Sequence, residues 1–255
     1  MRDALQTIPR KGSRLSSIGI WTAVVGVLLA ALSGLGARAG ILSPFASMGA
    51  YTGGSLLLLI ALVTSALGLF RSGGTGGTAS GPATWLALLA GLVITANNGL
   101  VMGQAGGAPP IHDITTDTDN PPAFVAVIPL RQIDAQNPPE YSGPETAAAQ
   151  KKAFPDLQPL LVNQPANVVF AAAKDVVLAK GWTLVDASEV DGRIEATAET
   201  GWVHFKDDVV IRIQPGRDQT RVDVRSKSRV GRGDMGANAR RVRDFLSALQ
   251  TQLAR

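Results

Sequence analysis

The sequence predicts a membrane-anchored protein in which three transmembrane α-helices precede an α+β extracytoplasmic domain, with an antiparallel sheet of about four strands flanked by helices. Three observations support this fold class. The first part of the 255-residue chain holds three long uncharged apolar stretches, the last part holds two stretches that alternate apolar and polar residues, and the chain ends in an apolar stripe with helical spacing. We therefore expect an anchor over residues 1–105 and a separate domain over 106–255.

The uncharged stretches of the anchor lie between successive members of the series Arg14, Arg38, Arg71 and Asp113. Each exceeds the roughly 20 residues that a helix needs to cross the hydrocarbon core of a bilayer. A cleaved signal peptide is the alternative for the first stretch, but its apolar part is longer than the usual length of about 7–15 residues. The predicted spans cover about residues 17–36, 44–70 and 84–102.

The charges beside the spans predict an orientation. Basic residues are concentrated before the first span, which by the positive-inside rule places the N-terminus in the cytoplasm. Three crossings put the C-terminal domain on the other side, so we expect a multi-pass protein of a bacterial inner membrane with a periplasmic domain. Gly49 and Gly53 either form a helix face for close packing or reflect the general abundance of glycine in membrane spans. Asn97 and Asn98 in the third span either bond between helices or line a polar pathway for transport.

Charge is distributed unevenly along the chain. Residues 1–108 carry a net charge of +5, residues 109–200 of −7 and residues 201–255 of +6. Because the extracytoplasmic part is close to neutral as a whole, we do not expect nucleic-acid binding, which favours a net positive domain. The absence of cysteine excludes disulfides, thiolate metal sites and a cysteine nucleophile.

The acidic segment Ile111–Phe124 contains His112 and three aspartates that could in principle bind a metal. Its spacing lacks the turn glycine and the closing glutamate of an EF-hand loop. Aspartate and asparagine before paired prolines favour Asx turns, so we predict turns here and no metal site. The Pro-rich stretch from Val125 to Gly143 is predicted to be mostly extended.

Local signals predict the next elements. One short helix is expected from Glu145 to Phe154, and a stronger one begins at Pro165 and ends with Gly181 as C-cap. A strand follows from Trp182, and an Asp191-Gly192 hairpin turn leads to the strand Arg193–Trp202.

The alternating stretches 203–214 and 219–230 are predicted to form a hairpin. We place Pro215 opposite Asp218. This register pairs Asp207 with Ser226, Val209 with Val224 and Ile211 with Val222 on the core side, and Asp208 with Arg225, Val210 with Asp223 and Arg212 with Arg221 on the other.

The hairpin and the start of the last helix carry most of the cations of the domain. They predict either an ion-pair lattice with the acidic region or a site for an external anionic group, on an anionic lipid, a carboxylate ligand or an envelope protein. The candidate residues are Arg212, Arg221, Arg225, Lys227, Arg229, Arg232, Asn238 and Arg241. Their predicted acidic partners are Asp113, Asp117, Asp119, Asp207, Asp208 and Asp234.

Residues 231–236 match G-x-G-x-x-G between a strand and a helix, which imitates a dinucleotide-binding fingerprint. The preceding strand belongs to an antiparallel hairpin and no second parallel strand follows. We therefore expect no cofactor, and a tight turn in which Asp234 is the N-cap of the last helix. The apolar stripe of that helix is Val242, Phe245, Leu246, Leu249 and Leu253.

These features favour a binding or scaffolding module over an enzyme. The alternative is a periplasmic hydrolase that uses Asp207, Asp208 and His112, which requires the three groups to converge on one open site. A transport-associated membrane protein is a further alternative, and it requires Asn97 and Asn98 to line a polar cavity.

Five segments of the C-terminal half form a recognisable set: IHDITTDTDNPPAF at 111–124, YSGPE at 141–145, FPDLQPL at 154–160, DDVVIRI at 207–213 and RSKSRVGRGDMGANARR at 225–241. Through them the chain resembles, over about residues 110–250, the bacterial family named domain of unknown function 1499. The resemblance implies an envelope location and supplies no activity and no catalytic residues.

Overall fold

The computed structural model describes residues 11–72 and 81–254. The chain divides into two compact units, one made largely of residues up to Gly103 and the other largely of Gln104–Arg255. Of the four basic residues before the first span, Arg2 and Arg10 lie outside the described part of the chain.

Three apolar helices make up the N-terminal unit, as the uncharged stretches predict. They are α1 (Lys11–Arg38), α2 (Pro44–Ser72) and α3 (Pro82–Ala105). Each contains a segment long and apolar enough to cross a membrane: Arg14–Arg38, Pro44–Ser72 and Pro82–Gly103. The Ser43 hydroxyl accepts a hydrogen bond from the Ala46 amide at 3.2 Å and so caps α2.

Close packing in this unit uses other glycines than the sequence suggests. A Cβ on Gly26 would lie 2.9 Å from the Gly54 carbonyl oxygen, whereas Gly49 and Gly53 have nothing within 4 Å of a Cβ position. The Tyr51 hydroxyl donates to Asn98 Oδ1 at 2.9 Å and lies 3.3 Å from Asn97 Nδ2. The two asparagines therefore bond between helices α3 and α2, which is the non-transport alternative.

The C-terminal unit is an α+β domain with more elements than the sequence predicts. Its helices are α4 (Ile128–Asp134), α5 (Pro144–Ala153), α6 (Ala166–Ala179) and α7 (Ala237–Leu253). Its strands are β1 (Asp113–Thr115), β2 (Leu160–Val162), β3 (Thr183–Ser188), β4 (Arg193–Glu199), β5 (Lys206–Pro215) and β6 (Thr220–Ser228). The expectation of about four strands is thus too low by β1 and β2, and α4 replaces part of the stretch predicted to be extended.

All strand pairs in the described sheet are antiparallel, in the order β1-β6-β5-β4-β3, with β2 also paired to β6. The predicted hairpin register is wrong by two residues. Pro215 lies opposite Thr220, because residues 216–219 all belong to the turn. A shift of two keeps every side chain on its predicted face, but Arg212 faces Asp223 and not Arg221.

The apolar core lies on one face of the sheet, between the strands and the two long helices α6 and α7. The predicted stripe of α7 supplies Val242, Phe245 and Leu249, all with no exposed surface. The Phe245 ring stacks on Trp182 with 5.9 Å between centroids. The core side of the strands supplies Ile194, Ala196, Val209, Ile211, Val222 and Val224.

Candidate functional site

The opposite face of the sheet, here called the charged face, is covered by residues 116–143, which include α4. Alternation along β1, β4, β5 and β6 places ionisable groups on this face. They include Asp113, Glu195, Asp208, Arg212, Asp223, Arg225 and Lys227. Six of these seven are buried, Arg212 being half-buried, and burial of a charge is costly unless the charge is paired and hydrogen-bonded.

Arg225 is bonded through four of its five donors. Its Nε and Nη2 donate to the two oxygens of Asp113 at 2.8 and 3.0 Å. Its Nη1 and Nη2 also donate to the carbonyl oxygens of Pro122 and Pro139 at 3.0 and 2.9 Å. With 2% of its surface exposed, Arg225 is a structural cation.

The groups that cover Arg225 come from two copies of one motif, N-P-P-x-aromatic, at residues 120–124 and 137–141. In each copy the second proline supplies a carbonyl oxygen and the aromatic residue supplies a ring. The guanidinium lies 4.7 Å from the ring centroid of Phe124 and 5.5 Å from that of Tyr141, within cation–π distance. We predicted only turns and extended chain from these prolines, although the repeated motif was a visible signal of a shared role.

Asp113 joins a second cation, Lys227, whose Nζ is 3.1 Å away. A carboxylate shared by two cations is here called a node, and Asp113 with Arg225 and Lys227 is the first node. Lys227 Nζ also donates to the Glu140 carbonyl oxygen at 2.5 Å and to Ser142 Oγ at 3.2 Å. Burial alone would raise the pKa of Asp113, but the bonds and charges of Arg225 and Lys227 outweigh it and hold that pKa below its usual value. Burial lowers the pKa of Lys227.

Asp208 is the second node of the charged face. Arg229 donates to its two oxygens from Nε and Nη2 at 3.0 and 2.8 Å, and Arg131 donates from Nη1 at 2.6 Å. Burial lowers the pKa of Arg131. Burial would also lower the pKa of Arg229, but its bonds to Asp208 and Asp134 raise it overall. Arg131 is absent from the predicted site because α4, which carries it, was not predicted.

Glu195 occupies the start of α4. Its carboxylate accepts hydrogen bonds from the amides of Val125, Ala126 and Val127 at 2.9, 3.0 and 3.0 Å. Free amides at a helix start are a common anion site, and here the anion belongs to the domain itself. Glu195 was not among the predicted acidic partners.

The third node lies at the tip of the hairpin. Arg212 and Arg221 both contact Asp223, at 2.9 and 3.0 Å, and both contact Asp117 Oδ2, at 3.1 and 2.8 Å. The other Asp117 oxygen accepts from the amides of Asp119 and Asn120, which forms the Asx turn predicted for this segment.

Two predicted acidic partners lie on the helix side of the sheet. Asp207 contacts Arg241 at 2.6 Å. Asp234 accepts from the amides of Gly236 and Asn238 at 2.8 and 2.7 Å. The N-cap residue of α7 is Gly236 in a left-handed conformation, so the predicted N-cap at Asp234 is wrong by two residues, although its carboxylate still bonds the first turn.

Asn238 links α7 to the end of β6. Its Oδ1 accepts from Ser226 Oγ at 2.6 Å, and its Nδ2 donates to Ser228 Oγ at 2.9 Å. Both Asn238 and the first amides of α7 are thus engaged within the domain.

The residues of the hydrolase alternative are not brought together. Asp207 and Asp208 are consecutive in β5 and point to opposite faces, one bonded to Arg241 and the other to Arg131 and Arg229. His112 Nδ1 lies 3.3 Å from the Arg232 carbonyl oxygen. In residues 11–72 and 81–254, no three carboxylate or imidazole groups could hold a metal ion.

An open cleft of about 690 Å³ lies beside the third node. Its lining includes Asp117, Asp119, Lys151, Phe154 and Arg221. Asp119 bonds Lys151 at 3.2 Å, with 88% and 60% of their side chains exposed. In the described part of the chain it forms no ion pair with the predicted cations. Arg221 is 39% exposed. The cleft is therefore lined by a cation that solvent can reach, unlike the buried cations Arg225 and Lys227.

The fold and this face define a class: an α+β domain with a charged sheet face closed by its own loop, following three helices of membrane-spanning length. A family model described as "Protein of unknown function (DUF1499)" matches residues 113–249, and the chain belongs to this family. The match begins at the first residue of β1 and includes every node of the charged face. No curated protein matches the sequence.

Proposed function

We propose that the chain is a membrane-anchored binding module of the bacterial envelope. The three apolar helices cross the inner membrane with the N-terminus in the cytoplasm, and the domain after them is periplasmic. The buried nodes of the charged face hold its own acidic loop in place. Binding of an anionic group takes place in the adjoining cleft, through Lys151 and Arg221.

The observation that carries this proposal is the contrast in exposure between the cleft and the nodes. Removal of one partner from a buried ion pair costs about 3–5 kcal/mol, so a ligand cannot displace Asp113 from Arg225. An exposed pair contributes only about 0–1 kcal/mol, so a ligand can displace Asp119 from Lys151 at little cost. Anion exchange is therefore feasible at Lys151 and not at the buried nodes, while Arg221 presents its exposed part to the cleft and stays bonded to Asp117 and Asp223.

The lining indicates the chemistry of the ligand. Lys151 and Arg221 suit a carboxylate or a phosphate, while Phe154, Pro155 and Pro159 provide apolar surface for its body. Such a group is carried by free metabolites and by lipid headgroups, and the two sources need separate probes.

Calorimetric titration of the full-length protein in a non-ionic detergent at low salt tests the proposal. The probes are inorganic phosphate, succinate and dihexanoyl phosphatidylglycerol. We expect at least one to bind, and Lys151→Glu to weaken it by about tenfold or more, which corresponds to about 1.4 kcal/mol. Binding of the lipid alone identifies a headgroup, and binding of phosphate or succinate identifies a free anion.

The neighbouring Lys152→Glu is the matched control, because Lys152 is also exposed and on α5 but does not line the cleft. It changes the net charge by the same amount and should alter the affinity less than about twofold. Equal weakening by both variants would indicate attraction by net charge alone, and absence of binding by all three probes would overturn the anion site.

A further inference from the structure

One end of the sheet receives the segment that leads out of the anchor. This tether-side end contains the start of β1, the end of β6 and the start of β5, since antiparallel pairing brings them together. The incoming residues Ala108–Pro110 run against the 231–236 turn. A Cβ on Gly233 would lie 3.0 Å from Pro110 Cα, and one on Gly236 would lie 3.5 Å from Ala108 Cβ.

Two apolar side chains project from this end. Met235, in the turn after β6, is 53% exposed and has a φ of +53°, which is uncommon for a residue other than glycine. Ile133, near the end of α4, is 82% exposed. The next residue, Asp134, bonds Lys206 and Arg229 at 2.9 and 2.7 Å, which places the end of α4 beside the start of β5 and the end of β6.

Cations flank both apolar side chains. Arg232 is exposed in the same turn as Met235, and Arg240 Nη1 donates to the Met235 carbonyl oxygen at 3.0 Å. Lys206 lies beside Ile133 through its bond to Asp134. Exposed apolar side chains between cations are typical of surfaces that lie in the headgroup region of an anionic bilayer.

We propose that the tether-side end is a membrane-interface surface, in which Met235 and Ile133 enter the boundary between headgroups and acyl chains and Arg232 contacts lipid phosphates. This inference rests on the proposed crossing of the bilayer by the three helices. It gives the G-x-G-x-x-G segment a role: Gly233 lets the turn lie close against Pro110, and Gly231 and Gly236 adopt the positive φ values of +91° and +75° with which the turn presents Arg232 and Met235.

The absence of cysteine in the chain allows a direct test in the full-length protein. Met235→Cys, Ile133→Cys and Val190→Cys variants each receive an environment-sensitive fluorophore and are reconstituted in vesicles of phosphatidylcholine and phosphatidylglycerol. Val190 is the matched control: it is an apolar residue with 100% exposure, in the β3–β4 turn at the opposite end of the sheet.

Lipids brominated in their acyl chains should quench most of the fluorescence at positions 235 and 133 and leave position 190 unchanged. Adding Arg232→Gln should reduce the quenching at 235 at least about twofold in vesicles that contain phosphatidylglycerol, since each cation near an anionic surface strengthens attachment. Equal quenching at 235 and 190, or none at 235 and 133, would overturn the proposal.

Flotation of the same vesicles in alkaline carbonate separates the two proposals. Protein that fails to float refutes the crossing of the bilayer. Protein that floats but shows no quenching at 235 and 133 refutes only the interface surface.

Discussion

The two faces of the sheet are built from alternate residues of the same strands, and they specify the fold in different ways. On the apolar face, Val209, Ile211 and Ile213 of β5 meet Ser226, Val224 and Val222 of β6. A shift of two residues would still place apolar side chains together there. On the charged face, the same shift would place Arg212 opposite Arg221 instead of Asp223.

This difference shows that burial alone does not select the register of the hairpin. The apolar face drives the strands together because removal of apolar surface from water is favourable and non-directional. The charged face selects one register because a mispaired buried ion is costly. The apolar face is therefore compatible with either register, whereas the charged face distinguishes between them.

The largest effect on the charged face is expected from Asp208→Ala, which leaves Arg131 and Arg229 buried without their shared carboxylate. We expect the free energy of unfolding of the domain to fall by about 3–5 kcal/mol. Urea-dependent proteolysis of the full-length protein measures the change.

Two controls give the scale. Phe245→Ala, which opens a cavity in the apolar face, should cost a similar amount, about 3–5 kcal/mol. Asp218→Ala, at the exposed tip of the hairpin, should change the stability by less than about 0.5 kcal/mol. A cost for Asp208→Ala no larger than that for Asp218→Ala would mean that the charged face contributes little to stability.

Acidification should weaken the charged face selectively, with a smaller effect than loss of Asp208. The pKa values of Asp113 and Asp134 lie below their usual range: burial would raise both, but bonds from Arg225 and from Lys206 and Arg229 outweigh it. Their contribution is complete above the unfolded-state pKa of about 4 and is lost as the pH falls through the folded-state values. We expect the urea midpoint to decrease below about pH 4.

Asp234 should oppose this trend, since burial raises its pKa and protonation near that pKa then favours the folded state. Asp113→Asn should be less stable than the wild type at neutral pH but should lose less on acidification. A midpoint that is flat from pH 7 to pH 3 in the wild type would contradict the assignment of these pairs.

The smallest effect is expected from Asp234→Ala, which removes the acceptor for two amides at the start of α7 and touches neither face directly. Loss of a helix cap costs about 0.5–2 kcal/mol. Asp175→Ala, at an exposed position of α6, is the control and should be neutral. The same urea assay applies, and equal costs for the two variants would show that Asp234 does not stabilise α7.

The long periodic elements and the short helix α5 could be predicted from the sequence, whereas the three elements β1, β2 and α4 could not. Helices α6 and α7 and strands β4 to β6 carry enough apolar periods to identify them. Strands β1 and β2 have three residues each, and α4 has seven, so none repeats its pattern. Strands β1 and β2 form by pairing with β6, and α4 forms against the charged face, so all three depend on the rest of the sheet.

The candidate site shows the same limit. The row of cations was predicted from the alternation of side chains along the strands. A register error of two residues does not affect this prediction, because every side chain stays on the same face. Asp113 and Asp208 were expected among the acidic partners, but which cation each one contacts did not follow, because Asp113 lies 112 positions from Arg225 and Asp208 lies 77 positions from Arg131. Asp119 was expected to join the cations of the hairpin, but it bonds Lys151 of α5 instead. Arg131, Asp134 and Glu195 gave no local signal of their roles. Asp223 was expected on the charged face, but opposite Val210 and not opposite Arg212.

The two N-P-P-x-aromatic segments around Arg225 have a consequence for where the domain can fold. Small extracytoplasmic domains often fasten their loops with disulfides, which require an oxidising compartment. Here one guanidinium joins a strand and two loop segments that lie 86–112 positions away in the chain, and it does so without sulfur. This cross-link is indifferent to redox potential, so reducing agents should leave the fold intact on either side of a membrane.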